Sequence, residues 1–116
     1  MPVSGEGAGP AAGVAMIYAT FPDRAAAMVA GRDLVEQGLA GCVNILPSMT
    51  SIYVWKGVTE TAEEAVMIAK LAAEGTDRAV ARILANHPYE TPAVLVVPTA
   101  GGSEAYLRWV RAGTRA

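Results

Sequence analysis

Residues 42–56 read Cys42-Val43-Asn44-Ile45-Leu46-Pro47-Ser48-Met49-Thr50-Ser51-Ile52-Tyr53-Val54-Trp55-Lys56, and the length of this run decides the fold. It is rich in Val, Ile, Thr, Tyr and Trp, side chains that suit a pleated, half-buried surface. After Pro47 it alternates, with Ile52, Val54 and Lys56 on one side and Ser51, Tyr53 and Trp55 on the other. Strands usually hold ~5–6 residues. At about 3.3 Å per residue this one extends roughly 50 Å, whereas a domain of about 100 residues has a radius of gyration near 13 Å. Such a strand bends, or it projects beyond its own domain. Pro47 cannot donate to a central ladder, so a bulge or an edge position is expected there. A projecting strand with an open edge needs a partner chain, which implies a homo-oligomer.

The flanking sequence supplies the rest of the domain. Residues 14–20 (VAMIYAT) form a short apolar run ended by Phe21-Pro22, as expected of a buried strand. Pro22-Asp23 opens a helix with Asp23 as N-cap. Along it Ala27, Ala30, Gly31, Leu34, Val35 and Gly38 make one face of mostly small residues, and Arg32 and Glu36 pair four apart. Lys56-Gly57-Val58-Thr59 reads as a turn. The stretch 63–73 (EEAVMIAKLAA) is ambiguous. Its Ala, Glu and Lys content favours a helix, yet Val66, Ile68 and Lys70 also alternate with Ala65, Met67 and Leu71. Propensity leans towards helix. A further helix is expected from Thr76 as cap with Asp77 beside it, placing Val80, Ile83, Leu84 and His87 on one face. Residues 93–98 (AVLVVP) read as a central strand, and Gly101-Gly102-Ser103 leads into a last helix with Tyr106, Trp109 and Val110 as its core face.

A chain of 116 residues is one domain, expected over 14–113 behind a flexible Gly/Ala/Pro-rich tail at 1–13. With 53% hydrophobic and 17% charged residues, disorder of the whole chain is excluded. A net charge of -2 without a basic cluster argues against nucleic acid. No apolar run approaches the ~18 residues that mark a membrane span. One cysteine excludes an internal disulfide and fits a reducing compartment, so a cytoplasmic protein is expected.

Chemistry concentrates in His87-Pro88-Tyr89-Glu90-Thr91-Pro92, which holds the chain's one histidine. His87 offers an imidazole nitrogen, Glu90 an oxygen and Cys42 a sulfur, and imidazole with thiolate suits copper or zinc. The alternatives are plain: His87 finishing a helix face near the negative end of the dipole, Glu90 as a surface charge, and Cys42 as a small buried hydrophobe. A Cys42–His87 pair would be the nucleophile and base of an enzyme, but the thiol sits among apolar neighbours that leave it inert. There is no Gly-x-Ser-x-Gly turn and no glycine-rich phosphate loop after a strand. A non-enzyme is expected.

Several ordered motifs resemble those of the CutA family of divalent-cation tolerance proteins. They are Gly41-Cys42-Val43-Asn44-Ile45-Leu46-Pro47, Thr50-Ser51-Ile52-Tyr53-Val54-Trp55-Lys56-Gly57, Lys70, His87-Pro88-Tyr89-Glu90-Thr91-Pro92 and Tyr106-Leu107-Arg108-Trp109. The resemblance runs from Val14 to about Val110. It implies an α+β, ferredoxin-like β-α-β-β-α-β sandwich with an additional C-terminal helix, assembled as a homotrimer similar to PII signalling proteins. It makes residues 61–73 a third strand, paired with 42–56 in a long hairpin. It also implies copper binding, with His87, Glu90 and Cys42 as candidate ligands. Where some members carry a cysteine late in the first strand and a second histidine before the His-Pro-Tyr motif, this chain has Ala19 and Asn86. The alternative it implies is a small-ligand sensor with clefts between subunits, lined by Trp55, Lys70 and Tyr89. Lys70, a charge amid an apolar strand, requires a partner, and Glu63, Glu64 and Glu90 are the expected ones.

Overall fold

The computed structural model describes residues 13–115. The tail expected at 1–13 lies outside the described residues except for Gly13, whose carbonyl accepts from the Ala73 N–H at 2.9 Å. Along the chain run β1 (Val14–Phe21), α1 (Arg24–Glu36), β2 (Cys42–Trp55), β3 (Val58–Ala72), α2 (Thr76–Asn86), β4 (Val94–Pro98) and α3 (Glu104–Gly113). The order is the β-α-β-β-α-β succession of a ferredoxin-like α+β fold, with one helix added. The strands pair antiparallel in the order β2-β3-β1-β4.

Lys56 and Gly57 close the hairpin between β2 and β3, with positive φ of 50° and 81°. Two such residues make the type I′ turn whose twist suits antiparallel strands. The turn is tighter than the four-residue one expected, and it sets the register: Trp55 faces Val58, Tyr53 faces Glu60, and Met49 faces Glu64. Between Leu46 and Met49 the register shifts. That is the irregularity expected of Pro47, and it falls on an edge strand. The hairpin runs past the helices, giving a molecule of 49 × 28 × 22 Å.

Residues 63–72 are not helical but lie in β3, which corrects the propensity reading, and Ala73 opens a 3-10 turn. β3 pairs with β2 on one side and β1 on the other, so its ladder is satisfied twice over, and tertiary pairing outweighs a few tenths of a kcal/mol per residue of propensity. Ala65, Met67, Ala69 and Leu71 point from β3 to the helix side and join Ile17, Ala19, Phe21, Ala27, Leu34 and Ile83 in the core. α1 closes tightly on this layer. The Asp23 carboxylate accepts from the Ala26 N–H at 2.8 Å as the expected N-cap, and Gly31 leaves 2.8 Å between an added Cβ and Val43 Cγ1.

Three other expectations are corrected. Thr76 is the first residue of α2 rather than its cap, because a 3-10 turn at Ala73–Gly75 feeds the helix directly and the Thr76 hydroxyl donates to the Ala73 carbonyl. β4 is an edge strand, not a central one; Leu95, Val96 and Val97 are exposed. On α3, Val110 is buried, but Tyr106 and Trp109 are 40% and 57% exposed. That helix lies against the sheet face opposite α1 and α2, at the Ala72 end, where Tyr106 meets Lys70. Elsewhere on this second face Thr20 and Val66 are buried, while Leu46 and Leu95 are exposed.

Candidate functional site

The loop that follows α2 crosses the end of β1 and fixes the candidate residues. His87 leaves α2 in extended backbone (φ -81°, ψ 137°), turned that way by Pro88, which disfavours helix in the residue before it. The ring stacks on Phe21 with centroids 4.4 Å apart. Its Nδ1 accepts from the Tyr89 N–H at 3.1 Å, and its Nε2 lies 2.7 Å from the Thr20 carbonyl. An amide only donates and a carbonyl only accepts, so His87 is the neutral Nε2–H tautomer with both nitrogens engaged. It pins the loop to β1.

Tyr89 carries the loop over this second face of the sheet. Its hydroxyl donates to the Glu64 carboxylate at 2.9 Å. Burial, and then the adjacent Glu64, push the phenol up to about 12. Tyr53, Trp55, Glu60, Glu64, Tyr89 and Glu90 thus border one groove of about 580 Å³, between the loop and the projecting hairpin. The register explains the assembly of its wall. Tyr53 and Trp55 on β2 share a face with Glu60 and Glu64 on β3, because Tyr53 opposes Glu60 and side chains alternate along each strand. Tyr53, Glu60 and Glu64 were not singled out in the groove from sequence. The two-residue turn at Lys56-Gly57 was the signal, since it fixes which side chains face one another.

The candidate ligands separate. Cys42 is a half-buried free thiol, opposite Lys70 in the β2–β3 ladder and level with Met16 on β1. His87 sits at the other end of β1, against Thr20 and Phe21. Glu90 is exposed on the groove rim. Among the described residues no group of three His, Cys, Asp or Glu side chains is placed to hold a metal ion. Within one protomer, His87, Glu90 and Cys42 therefore form no copper centre.

Of the cleft candidates, Trp55 and Tyr89 meet in the groove, and Lys70 does not. The Lys70 ammonium donates to the Tyr106 hydroxyl at 3.1 Å and lies 5.3 Å from that ring's centroid. Among the described residues no carboxylate pairs with it as expected: Glu64 binds Tyr89 and Glu63 accepts from the Thr50 hydroxyl at 2.7 Å. Lys70 stays partly exposed to solvent over an aromatic face, an arrangement of cation–π type.

Comparison with known proteins accounts for this architecture. The family model described as CutA1 divalent ion tolerance protein matches residues 15–113. The chain is similar to the protein named CutA, chloroplastic, of Arabidopsis thaliana, at 35% identity over 100 residues, covering 86% of this chain and 55% of that one. It is 35% identical over 99 residues to the divalent-cation tolerance protein CutA of Thermus thermophilus, covering 85% and 96%. The crystal structure of CutA1 from the psychrotrophic bacterium Shewanella sp. SIB1 superposes with a TM-score of 0.88 at 29% identity, covering 94% and 100%. The chain thus spans about half the length of its plant relative and nearly all of the bacterial ones. A chloroplastic relative means that the expected cytoplasmic location is not a family trait; no helix of the described residues is long and apolar enough to cross a membrane. By its sequence and its fold, this chain belongs to the CutA1 divalent ion tolerance protein family.

Proposed function

We propose that this protein acts in the response to divalent metal ions, copper foremost, as a non-enzymatic homotrimer. The observation that carries the assembly is the hairpin beyond the helices. Ile52, Val54 and Val58 are 73%, 67% and 58% exposed there, on a two-stranded ribbon with both edges open, since β1 pairs with β3 only from Ala65. Leu46 and Leu95 are 52% and 59% exposed on the second face. Apolar surface of this extent marks an interface, and the two edges, β2 and β4, are templates for pairing with further copies. The names of the family and of the bacterial relative support the metal role.

A copper site in this reading draws on more than one copy, because one protomer does not gather the donors. A three-fold axis supplies each donor three times. Glu90 and Cys42 are the free donors, since neither makes a hydrogen bond or ion pair among the described residues. His87 joins only by surrendering the Tyr89 amide. When bound, copper would take imidazole or thiolate donors ahead of carboxylate. Calorimetric titration with copper of the assembled protein, Glu90→Gln, Cys42→Ser and His87→Ala tests this. Saturable sites in the wild type, weakened about tenfold in at least one variant, support it. Equal titration by all four removes these ligands.

The groove favours a second reading, a small-ligand sensor of PII-like type. Trp55, Tyr89 and Glu90 come together there although distant in sequence. A mostly apolar cleft with a few convergent polar groups is the usual form of a ligand site.

A further inference from the structure

We infer that the groove between the hairpin and the 87–92 loop takes a linear organic polycation, of the alkyl di- or triamine class. This rests on the small-ligand reading of the groove and gives it a chemistry. The walls have one sign of charge. Glu60, Glu64 and Glu90 border the groove, and among the described residues no lysine, arginine or histidine lines it. Three rings, Tyr53, Trp55 and Tyr89, supply its aromatic wall, and Thr20 and Thr91 add neutral polar groups. Aromatic faces attract ammonium groups through their quadrupole, and Trp55 already shows this preference: the Lys56 ammonium lies 5.9 Å from its ring centroid. An anionic ligand such as a nucleotide would meet three lining carboxylates against the single Lys56 ammonium beside Trp55.

Spacing selects a linear ligand over a compact one. Glu60 and Glu64 lie on one face of β3 with Ala62 between them. Four residues of strand set their backbone positions about 13 Å apart, a span on the scale of an extended triamine. Its methylenes would then lie over Ala62, a small apolar side chain of the wall. The Glu64 carboxylate is held by the Tyr89 hydroxyl at 2.9 Å, so one anchor is fixed before binding. Glu60 at the mouth is exposed and closes on the second nitrogen.

Calorimetric titration of the assembled protein with spermidine, beside ATP, tests the inference. Glu60→Gln and Trp55→Ala are the groove variants, and Asp77→Asn on α2 is the control; light scattering verifies that each assembles as the wild type does. Saturable spermidine binding, weakened about tenfold by Glu60→Gln and by Trp55→Ala and unchanged in Asp77→Asn, is expected. It should also weaken as salt rises, because the attraction is coulombic. Spermidine heats that do not saturate, or that are equal in all variants, overturn the polycation assignment. ATP binding that Trp55→Ala abolishes, without spermidine binding, overturns the assignment but keeps a small-ligand groove. Saturation by neither compound rejects the assignment, and a thermal-shift screen of other small molecules then decides separately whether the groove binds any ligand.

Discussion

The Tyr89 hydroxyl donates to the Glu64 carboxylate at 2.9 Å, fastening the loop after α2 to the middle of β3. Together with the His87–Thr20 contact, this bond holds the far wall of the groove in place. Tyr89→Phe keeps the ring and removes the donor. Hydrogen bonds to charged groups contribute about 1.5–3 kcal/mol, and partial exposure of both residues lowers this, so a loss of about 1 kcal/mol is expected from chemical denaturation. Absorbance titration of the wild type should show one phenol ionising last, at about 12, and Tyr89→Phe should remove that step. An unchanged alkaline titration would contradict the contact.

Packing of α3 depends on Gly41. A Cβ there would run into the Val110 carbonyl oxygen, a backbone atom that cannot swing aside. Gly41→Ala should therefore displace α3 and cost at least about 1–3 kcal/mol, the usual range for overpacking. Gly101→Ala, where an added Cβ meets nothing within 4 Å, should leave the denaturation midpoint almost unchanged. Equal midpoints for the two variants would refute the close approach.

Much of this arrangement was legible in the residues, and what was not has a common cause. The overlong strand, the Pro47 irregularity, the Asp23 cap and the course of β1 and α1 all rest on local signals: run length, alternation, capping chemistry. The stretch 63–73 read as helix because nothing local reveals that β1 and β2 flank it on both sides. AVLVVP read as central because a continuous apolar run does not say whether its second edge is covered by its own chain or by another. Tyr106 and Trp109 read as core for the same reason: their helical face is apolar, but it looks onto a sheet surface left open in the protomer. At the site, the hexapeptide located the loop, while the grouping of Tyr53 and Glu60 required the hairpin register. His87 was visible as special, and its reason was not. It fastens a loop, through partners 66 and 67 residues away in sequence, Phe21 and Thr20.

Acid should loosen the contact between α3 and the 3-10 turn that follows β3. Arg111 binds the Glu74 carboxylate at 2.7 and 3.0 Å, and this holds Glu74 down at about 2 from an ordinary 4.5. A depressed carboxyl stabilises the fold above its unfolded value and loses that contribution as pH falls towards the folded one. Stability measured by denaturant should therefore decline between about pH 4.5 and 2, and the decline should be shallower in Glu74→Gln. The same slope in both proteins would show that Glu74 is not among the groups responsible. The pair is exposed, so salt should reduce the difference.

In the proposed trimer, further copies of this chain cover the hairpin's apolar surface. Sedimentation equilibrium of the wild type beside the double variant Ile52→Asp, Val54→Asp tests this, because both side chains lie outside the protomer core. A wild-type mass of three chains and a smaller, folded species for the variant are expected. A wild type that sediments as a single 12.0 kDa chain would contradict it.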